Sequence, residues 1–300
     1  MDRNNNEVVA DLVTKFVTPT VLDLETPDGT KAPLLILPEG LKAHSVKKLL
    51  EEFRDQPERR KGQADLTDLA SFILHANRFA DQDSVIFVNT LAAPSMLIVF
   101  DYHRGTENTK GADSGARFCQ HRGRYLFPLS DEWKTWTGAN GVVMEQARFA
   151  EFIENRIVDI DDIPREQAKA LATQLGTSYA TASKLFELSR GLSIRVNSKV
   201  GQARNLASGE AQITYSSEHQ DESGAPLKVP GAFVIAVPVF KGGARYQLPV
   251  RLRYRVKEQS VVWFLELYRS DLVFEHAVRE ACDRAKTETG LPILYGAPEA

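Results

Sequence analysis

Cysteine is scarce in this chain. Cys119 and Cys282 are the two cysteines among 300 residues, and they stand far apart. Such a pair does not supply the disulfide framework that holds small secreted domains together. A reducing compartment, the cytoplasm, is therefore expected.

Long apolar runs and targeting segments are also lacking. The longest apolar runs, such as 96–100 and 261–265, have the length of a strand. A membrane helix needs about 18 such residues or more. Residues 1–11 are polar and lack a basic segment followed by an apolar one, so no signal peptide is predicted. We expect a cytoplasmic protein without a membrane partner.

The short motifs that mark common enzyme classes are missing as well. No G-x-S-x-G, G-x-G-x-x-G, H-E-x-x-H or paired C-x-x-C pattern occurs, and each of these would predict a particular catalytic or cofactor site. Lys241-Gly242-Gly243 is typical of a hairpin turn, because it lacks the spaced glycines and the Lys-Ser/Thr ending of a phosphate loop. The chain is expected to need no cofactor and to be non-enzymatic.

An excess of positive charge is absent too. The formal net charge is -3, whereas proteins that coat nucleic acid carry a strongly positive balance. Any contact with nucleic acid must therefore come from a local patch.

What the chain does contain is the composition of an ordinary globular protein. Hydrophobic residues make up 43%, enough to bury a core. A β-hairpin is predicted from 20–24 and 32–37, which flank the turn sequence Thr26-Pro27-Asp28-Gly29. Further strands are predicted at 84–89, 95–103 and 117–127.

Apolar residues at helical spacing predict most of the helices before residue 190. These helices cover 7–17, 45–53, 66–79, 130–136, 142–157, 164–175 and 178–189. A charged loop is predicted at 54–63, and Ala147 is among the residues of the 142–157 helix that are predicted to face inward. Asp65 or Thr67 is expected to cap the helix that reaches Phe79, and Ser130 the helix that carries Trp133 and Trp136.

After Gly191 the pattern changes to a β-meander. Strands are predicted at 192–200, 211–216, 229–240, 245–257 and 260–268, followed by a helix at 271–288 that Gly290 ends. The fold class is therefore α+β. We divide it into an N-terminal mixed α/β region (1–160), a helical connector (161–190), and a C-terminal antiparallel sheet closed by a helix (191–300).

Six segments carry a resemblance to a known family. They are FCQHR (118–122), PLSDEWKTW (128–136), FAEFIEN (149–155), SGEAQI (208–213), VPGAF (229–233) and LRYR (252–255). In this order they resemble the YfdQ-like family of phage and prophage proteins, over roughly residues 85–298. The resemblance implies a phage-encoded protein in the cytoplasm of a bacterial host, of a kind encoded among early genes for DNA metabolism or host takeover. The family has no established activity and supplies no catalytic residues.

A basic stripe is the main candidate binding surface. Alternate residues of a strand share a face at about 6–7 Å spacing, so the predicted strand 245–257 places its cations on one side. They are Arg245, Arg251, Arg253, Arg255 and Lys257. Three partners are open: phosphates of DNA or RNA, carboxylates of another subunit, or solvent together with cross-strand partners such as Glu258 and Glu266. Tyr246 and Tyr268 are candidates for stacking on bases or for an interface.

Three other constellations have both a functional and a structural interpretation. Asp101, His103, Cys119 and His121 would converge if their strands pair, as a zinc site, as a nucleophile with its base, or as a polar cluster joining two strands. Asp159, Asp161 and Asp162, with Glu151 and Glu154, would hold magnesium or form a solvated loop before a helix. Trp133 and Trp136 share a helix face and are core residues or interface anchors.

The sequence thus favours a non-enzymatic, homo-oligomeric phage protein that binds nucleic acid, or host machinery that handles it, through the basic stripe. Oligomerisation is expected because the edge strands of the meander need covering. A self-assembling structural or counter-defence protein is the alternative, and a metal-dependent enzyme is less favoured.

Overall fold

The computed structural model describes residues 13–14, 20–25, 31–36, 44–45, 51–52, 54–90, 93–105, 115–195, 200–205, 211–215, 227–257 and 260–299. The strands within these ranges are β1 (Thr20–Glu25), β2 (Lys31–Ile36), β3 (His44–Ser45), β4 (Gly62–Leu66), β5 (Val85–Asn89), β6 (Ser95–Val99), β7 (His121–Tyr125), β8 (Met144–Glu145), β9 (Val200–Asn205), β10 (Ala211–Tyr215), β11 (Leu227–Val229), β12 (Ala232–Pro238), β13 (Arg245–Lys257), β14 (Ser260–Leu267) and β15 (Ile293–Tyr295). The helices are α1 (Leu69–Phe79), α2 (Asp131–Ala139), α3 (Gln146–Asn155), α4 (Arg165–Leu175), α5 (Ala182–Arg195) and α6 (Ser270–Thr289).

The predicted hairpin is confirmed. Strands β1 and β2 pair antiparallel, with Glu25 opposite Lys31, and β3 adds to the free side of β2. A second three-stranded sheet has the order β11-β10-β9. Three predicted features lie wholly or mostly outside the described residues: the turn at 26–29 and the helices at 7–17 and 45–53.

A five-stranded mixed sheet has the order β15-β5-β6-β7-β4. The three predicted strands at its centre, β5, β6 and β7, are confirmed and pair antiparallel. Strand β4 pairs in parallel with β7, and β15 in parallel with β5. Helix α1 packs on this sheet and buries Phe72, Ile73 and Ala76.

The prediction was wrong at β4, which was assigned to a charged loop and a helix start. Parallel pairing with β7 keeps the chain extended through Leu66. The helix therefore begins later, and neither Asp65 nor Thr67 caps it. The Asp68 carboxylate does so, accepting hydrogen bonds from the N–H groups of Ala70 and Ser71 at 3.0 and 2.8 Å.

The C-terminal meander forms a four-stranded antiparallel sheet in the order β12-β13-β14-β8. Strand β13 has the predicted bounds, and its residue Arg253 lies opposite Phe264 of β14. Helices α2 and α3 pack on one face, where the rings of Phe149 and Trp263 stack with centroids 4.8 Å apart. Helix α6 ends as predicted at Gly290, which has a φ of +68°.

Two element predictions on the helical side were wrong. The helix predicted at 142–157 begins at Gln146, because Met144 and Glu145 pair with β14 as strand β8. Its core residues are Phe149 and Ile153, whereas Ala147, which was predicted to face inward, is exposed. The strand predicted at 192–200 is also incorrect, since α5 continues through Gly191 to Arg195.

The edges of the four-stranded sheet are covered by the chain itself. Bridges from Ile160 to Ile235 and from Tyr179 to Ala232 cover the outer side of β12. On the other side, β8 and a bridge from Asn140 cover β14. Bare edges of the predicted meander were the reason to expect oligomerisation. In this sheet the chain covers part of each edge, while β9 and β11, from the same predicted region, are the outer strands of their own sheet, so oligomerisation stays a prediction.

One hydrophobic core joins the two large sheets. Phe127, Phe240 and Phe274 connect them, with ring centroids 5.0 Å apart for the first pair and 5.6 Å for the second. The predicted α+β class is confirmed. Strand β15 joins the N-terminal sheet and β8 the C-terminal one, so both sheets draw strands from across the predicted region boundaries. None of the described helices has the length and apolar content needed to span a membrane.

Candidate functional site

Strand β13 places its arginines on the face that points away from the core. Leu252 and Tyr254 are buried on the opposite face, while Arg251 and Arg253 are partly exposed and Arg255 is exposed. The predicted alternation is therefore confirmed for these three arginines. Lys257 ends the strand opposite Ser260, and its side chain lies outside the described part.

Each arginine of this face meets a side chain from β14 or from the residue that follows it. In order along β13, they are Arg251 over the ring of Tyr268 at 5.0 Å, Arg253 with the Glu266 carboxylate at 2.9 Å, and Arg255 over the ring of Phe264 at 5.1 Å. We use the name arginine–aromatic face for the surface formed by Arg251, Arg253, Arg255, Phe264 and Tyr268. Within the described part of the chain it is a partly exposed sheet surface on which cations and rings alternate.

The interactions on the arginine–aromatic face orient the arginine side chains and leave some of their N–H groups free to bind a ligand. An exposed cation–π contact contributes about 0.5–1 kcal/mol, and an exposed ion pair rarely more than about 1 kcal/mol. A guanidinium over a ring keeps the N–H groups at its edge free to bind an anion. Two carboxylates share this side of the sheet: Glu266, and Glu145, which lies opposite Val262. Three arginines outnumber them, so the local charge is positive although the chain is acidic.

Two predicted members do not belong to this surface. Arg245 is exposed, but its guanidinium donates to the carbonyl oxygens of Ala236 and Val158. Tyr246 lies on the core side of β13, where its hydroxyl bonds to Glu280 of α6. Burial, followed by the bond to Glu280, raises the pKa of the Tyr246 phenol. Arg245 therefore ties neighbouring backbone to the sheet, and Tyr246 packs beneath it.

The two tryptophans of α2 are core residues, which corrects their assignment as interface candidates. Trp133 is 5% exposed and Trp136 is 1% exposed. The indole N–H of Trp136 donates to the Asp159 carboxylate at 2.9 Å. Of the two predicted roles, core residue and interface anchor, the structure shows the core role for both side chains.

Three of the four residues predicted as a cluster, Asp101, His103 and Cys119, converge where β6 ends and β7 begins. The Asp101 carboxylate accepts hydrogen bonds from the N–H groups of Gln120 and His121 at 3.1 and 2.9 Å. The Cys119 N–H donates to the Asp101 carbonyl oxygen at 3.2 Å. Cys119 itself has a φ of +52°, a conformation that few residues other than glycine adopt. Asp101 therefore holds a tight turn in place.

The geometry around the Cys119 sulfur does not supply a nucleophile with its base. His103 Nε2 lies 3.5 Å from Cys119 Sγ, while His103 Nδ1 accepts a hydrogen bond from the Arg117 N–H at 2.9 Å. The neutral ring then carries its proton on Nε2 and has no lone pair for the thiol. Burial, followed by the Asp101 charge, raises the pKa of the Cys119 thiol. These contacts support the polar cluster that joins two strands.

His121 turns away from that cluster toward a set of rings. Its ring centroid lies 4.5 Å from Phe100, 5.1 Å from Phe79 and 6.4 Å from His75. Burial lowers the pKa of both imidazoles, and the neighbouring His75 and Arg60 lower that of His121 further. Among the described residues, no three or more His, Cys, Asp or Glu side chains are grouped to hold a metal ion.

The acidic residues predicted as a magnesium site have separate structural partners. Asp159 is buried and accepts from Trp136. Asp161 accepts from the Gln247 amide at 2.7 Å, and Asp162 from the Ala182 N–H at 2.7 Å, which caps α5. The solvated-loop interpretation fails for Asp159, because a tertiary hydrogen bond draws it into the core.

Comparison with known proteins places the chain in a family. The profile of the family described as Uncharacterized conserved protein (DUF2303) matches residues 19–298. The chain belongs to the DUF2303 family. No curated protein and no solved structure matches this DUF2303 chain.

The DUF2303 match covers all of the arginine–aromatic face and the cluster at Asp101. Sequence reasoning missed one member of that face, Phe264. The signal for it was present, because Phe264 alternates with Val262 and Glu266 along β14 and falls opposite Arg253. Arg59 and Arg60 of the DUF2303 chain were also missed as binding candidates, since the basic run before β4 was interpreted as a charged loop.

Proposed function

We propose that this protein binds single-stranded nucleic acid on the arginine–aromatic face. The observation that carries the proposal is the alternation of Arg251 and Arg255 with the rings of Tyr268 and Phe264 on one open sheet. Bases of any sequence stack on aromatic rings, and arginines bind the intervening phosphates. An antiparallel sheet that carries aromatic side chains on its exposed face is a recurring platform for this kind of binding.

The resemblance to the YfdQ-like family adds a setting to the proposal. It supports a phage-encoded protein that works in the cytoplasm of the bacterial host, on DNA or RNA or on host machinery that handles them. No catalytic step and no cofactor is part of this function.

The first test removes the two arginines that contact rings. We expect Arg251→Gln with Arg255→Gln to weaken binding of a fluorescent single-stranded oligonucleotide, measured by anisotropy at several salt concentrations. The slope of log K against log salt should become shallower by about 1.4, since each phosphate contact contributes about 0.7 on a single strand. Arg165→Gln with Lys169→Gln, both exposed on α4, is the matched control and should keep the wild-type slope.

A second variant separates stacking from charge. Phe264→Leu keeps an apolar side chain but loses a stacking surface worth about 1–3 kcal/mol per base. The affinity should fall about tenfold with the salt slope unchanged. If the wild-type protein shows no salt-dependent binding to single-stranded DNA or RNA, the proposed function is wrong.

Self-association through the same surface is the second candidate. Glu266 and Glu145 lie on the same side of the sheet as the arginines. Two copies meeting face to face would therefore set arginines against carboxylates around a twofold axis. This is the structural or counter-defence alternative. Light scattering distinguishes it, because the Arg251→Gln, Arg255→Gln variant should then shrink to a smaller particle without any nucleic acid present.

A further inference from the structure

A second candidate binding site lies at the other large sheet. A cleft of about 590 Å³ opens where β6 ends and β7 and β4 begin. This volume lies within the roughly 300–1,000 Å³ typical of small-molecule sites. Residues that line it include Arg59, Arg60, Phe79, Phe118 and His121. The cleft lies on a different sheet from the arginine–aromatic face.

The acidic residues of the cleft already have partners. Asp81 pairs with Arg117 at 2.9 Å. Asp101 accepts from two backbone N–H groups. Glu58 lies 3.8 Å from Arg54. Each of these three carboxylates therefore has a partner other than Arg59 or Arg60.

Two arginines of the cleft have no carboxylate partner within the described part of the chain. Arg59 lies over the Phe118 ring, with its Cζ 3.2 Å from the ring centroid, and the Arg60 Cζ lies 5.1 Å from the centroid of Phe79. Arg59 Nη2 donates to the Gln120 side-chain oxygen at 3.0 Å. Its Nη1 is shielded from solvent and has no hydrogen-bond partner among the described residues. An unsatisfied buried donor on a charged group is costly, and such groups call for an acceptor.

The aromatic rings of the cleft indicate a second part of the ligand, beside the anion that the two arginines would bind. Phe118 is 66% exposed, so its ring keeps surface that a flat aromatic group can contact. One ligand that carries an aromatic group and an anion would contact Phe118 with the first and Arg59 and Arg60 with the second. Guanidinium groups bind phosphate through paired N–H groups.

We propose that this cleft binds a nucleoside monophosphate, with its phosphate on Arg59 and Arg60 and its base on Phe118. Arg59 turns its terminal guanidinium toward the phosphate, so that Nη1 gains a charge-assisted hydrogen bond. The ligand is either a free nucleotide or the 5′-terminal nucleotide of a strand. The proposal does not rest on the arginine–aromatic face.

Calorimetric titration of the full chain tests this assignment. The probes are the four ribonucleoside 5′-monophosphates, adenosine and inorganic phosphate. We expect at least one monophosphate to bind, and adenosine and phosphate to bind at least about tenfold more weakly, because each makes half of the contacts. Oligonucleotides with a 5′-phosphate or a 5′-hydroxyl distinguish the two sources in the Arg251→Gln, Arg255→Gln variant: tighter binding of the phosphorylated strand than of both the hydroxyl strand and the free nucleotide identifies a strand end.

Arg60→Gln and Phe118→Leu should each weaken monophosphate binding by about tenfold, the loss expected for one charge-assisted hydrogen bond or one stacked ring. Arg78→Gln is the matched control, because Arg78 lies near the same Phe79 ring but outside the cleft. The Arg251→Gln, Arg255→Gln variant should also bind the monophosphate normally. The proposal is overturned if no monophosphate binds at about 5 mM, or if both cleft variants bind as tightly as the folded wild-type protein.

Discussion

Buried polar side chains in this protein differ in whether they have a partner. Trp136 and Asp159 satisfy each other inside the core, and the carboxylate is 4% exposed. Tyr254 is also buried, but its hydroxyl has no hydrogen-bond partner among the described residues. Breaking the hydrogen bond of a paired buried group costs much stability, whereas removing an unpaired buried group costs little.

Trp136→Phe should therefore destabilise the protein by about 3 kcal/mol, from the loss of a hydrogen bond to a charged group and of buried volume. Urea denaturation measures the free energy of unfolding. Tyr254→Phe is the control, since removing an unpaired hydroxyl is expected to leave stability unchanged or raise it by up to about 1 kcal/mol.

Adding Asp159→Asn to Trp136→Phe should recover part of the loss, because the buried carboxylate, left with a long 3.9 Å ion pair to Arg156, is then replaced by a neutral group. Equal losses in the single and double variants would show that the cost comes from the cavity alone.

Cys119 shows how a residue-scale signal can suggest the wrong chemistry. The sequence brought His103 and Cys119 together correctly, and the sulfur and nitrogen are within 3.5 Å. What it could not predict is the tautomer, which follows from the Arg117 N–H bonding to the other ring nitrogen. That contact depends on the path of the chain around residue 117, and residue spacing carries no information about it.

Among the elements, β12 depends on a close approach at Gly231, the residue just before it. A Cβ on Gly231 would lie 2.0 Å from Thr177 Oγ1 and 3.1 Å from Thr177 Cβ. The segment after α4 packs here, and Gly231 and Ala232 donate to the Ser178 carbonyl oxygen at 3.1 and 3.2 Å. Glycine at this position lets the segment cover the edge of β12.

Gly231→Ala should then cost about 2 kcal/mol or more through overpacking. The free energy of unfolding from urea denaturation is again the measurement. Thr177→Ala should be nearly neutral alone and should restore much of the stability of Gly231→Ala. Gly138→Ala serves as control, since a Cβ there meets nothing within 4 Å. A Gly231→Ala variant as stable as the wild type would contradict the close packing.

The sequence predicts elements best where the pattern is local. Strand β13 alternates between arginine and core-facing residues from Val250 to Arg255, and its bounds were predicted correctly. The hairpin of β1 and β2 has a turn sequence between its strands and was also found. Strands β4 and β8 were missed because their pairing partners lie far along the chain. Their residues, such as Gly62 and Glu145, show no strand-like alternation of their own.

For the whole molecule, the candidate sites depend on what neighbouring elements bring to them. The arginines of β13 were predicted from one strand, but the rings that alternate with them come from β14. The cleft combines Arg59 and Arg60 from before β4, Phe79 from α1 and Phe118 from before β7. No single stretch of sequence contains that set. Its members were individually ordinary residues until the five-stranded sheet brought their elements together.

The histidine pair within this assembly makes stability depend on pH. His75 and His121 are packed between α1 and the five-stranded sheet, and burial holds the pKa of each below its ordinary value of 6.5. The unfolded chain therefore takes up protons at a higher pH than the folded protein does. Stability should be complete above about pH 6.5 and should be lost as the pH falls through the lowered folded-state values.

We expect the melting temperature to fall between about pH 7.5 and about pH 5.5, and to fall less steeply in His75→Gln, where one of the two groups no longer titrates. His276→Gln is the matched control, because the His276 side chain is 67% exposed on α6. It should keep the wild-type slope even if its melting temperature differs. A His75→Gln slope equal to that of the wild type would mean that acid destabilises the fold through other groups. In that case His75 would take up its proton at the same pH in the folded and the unfolded protein.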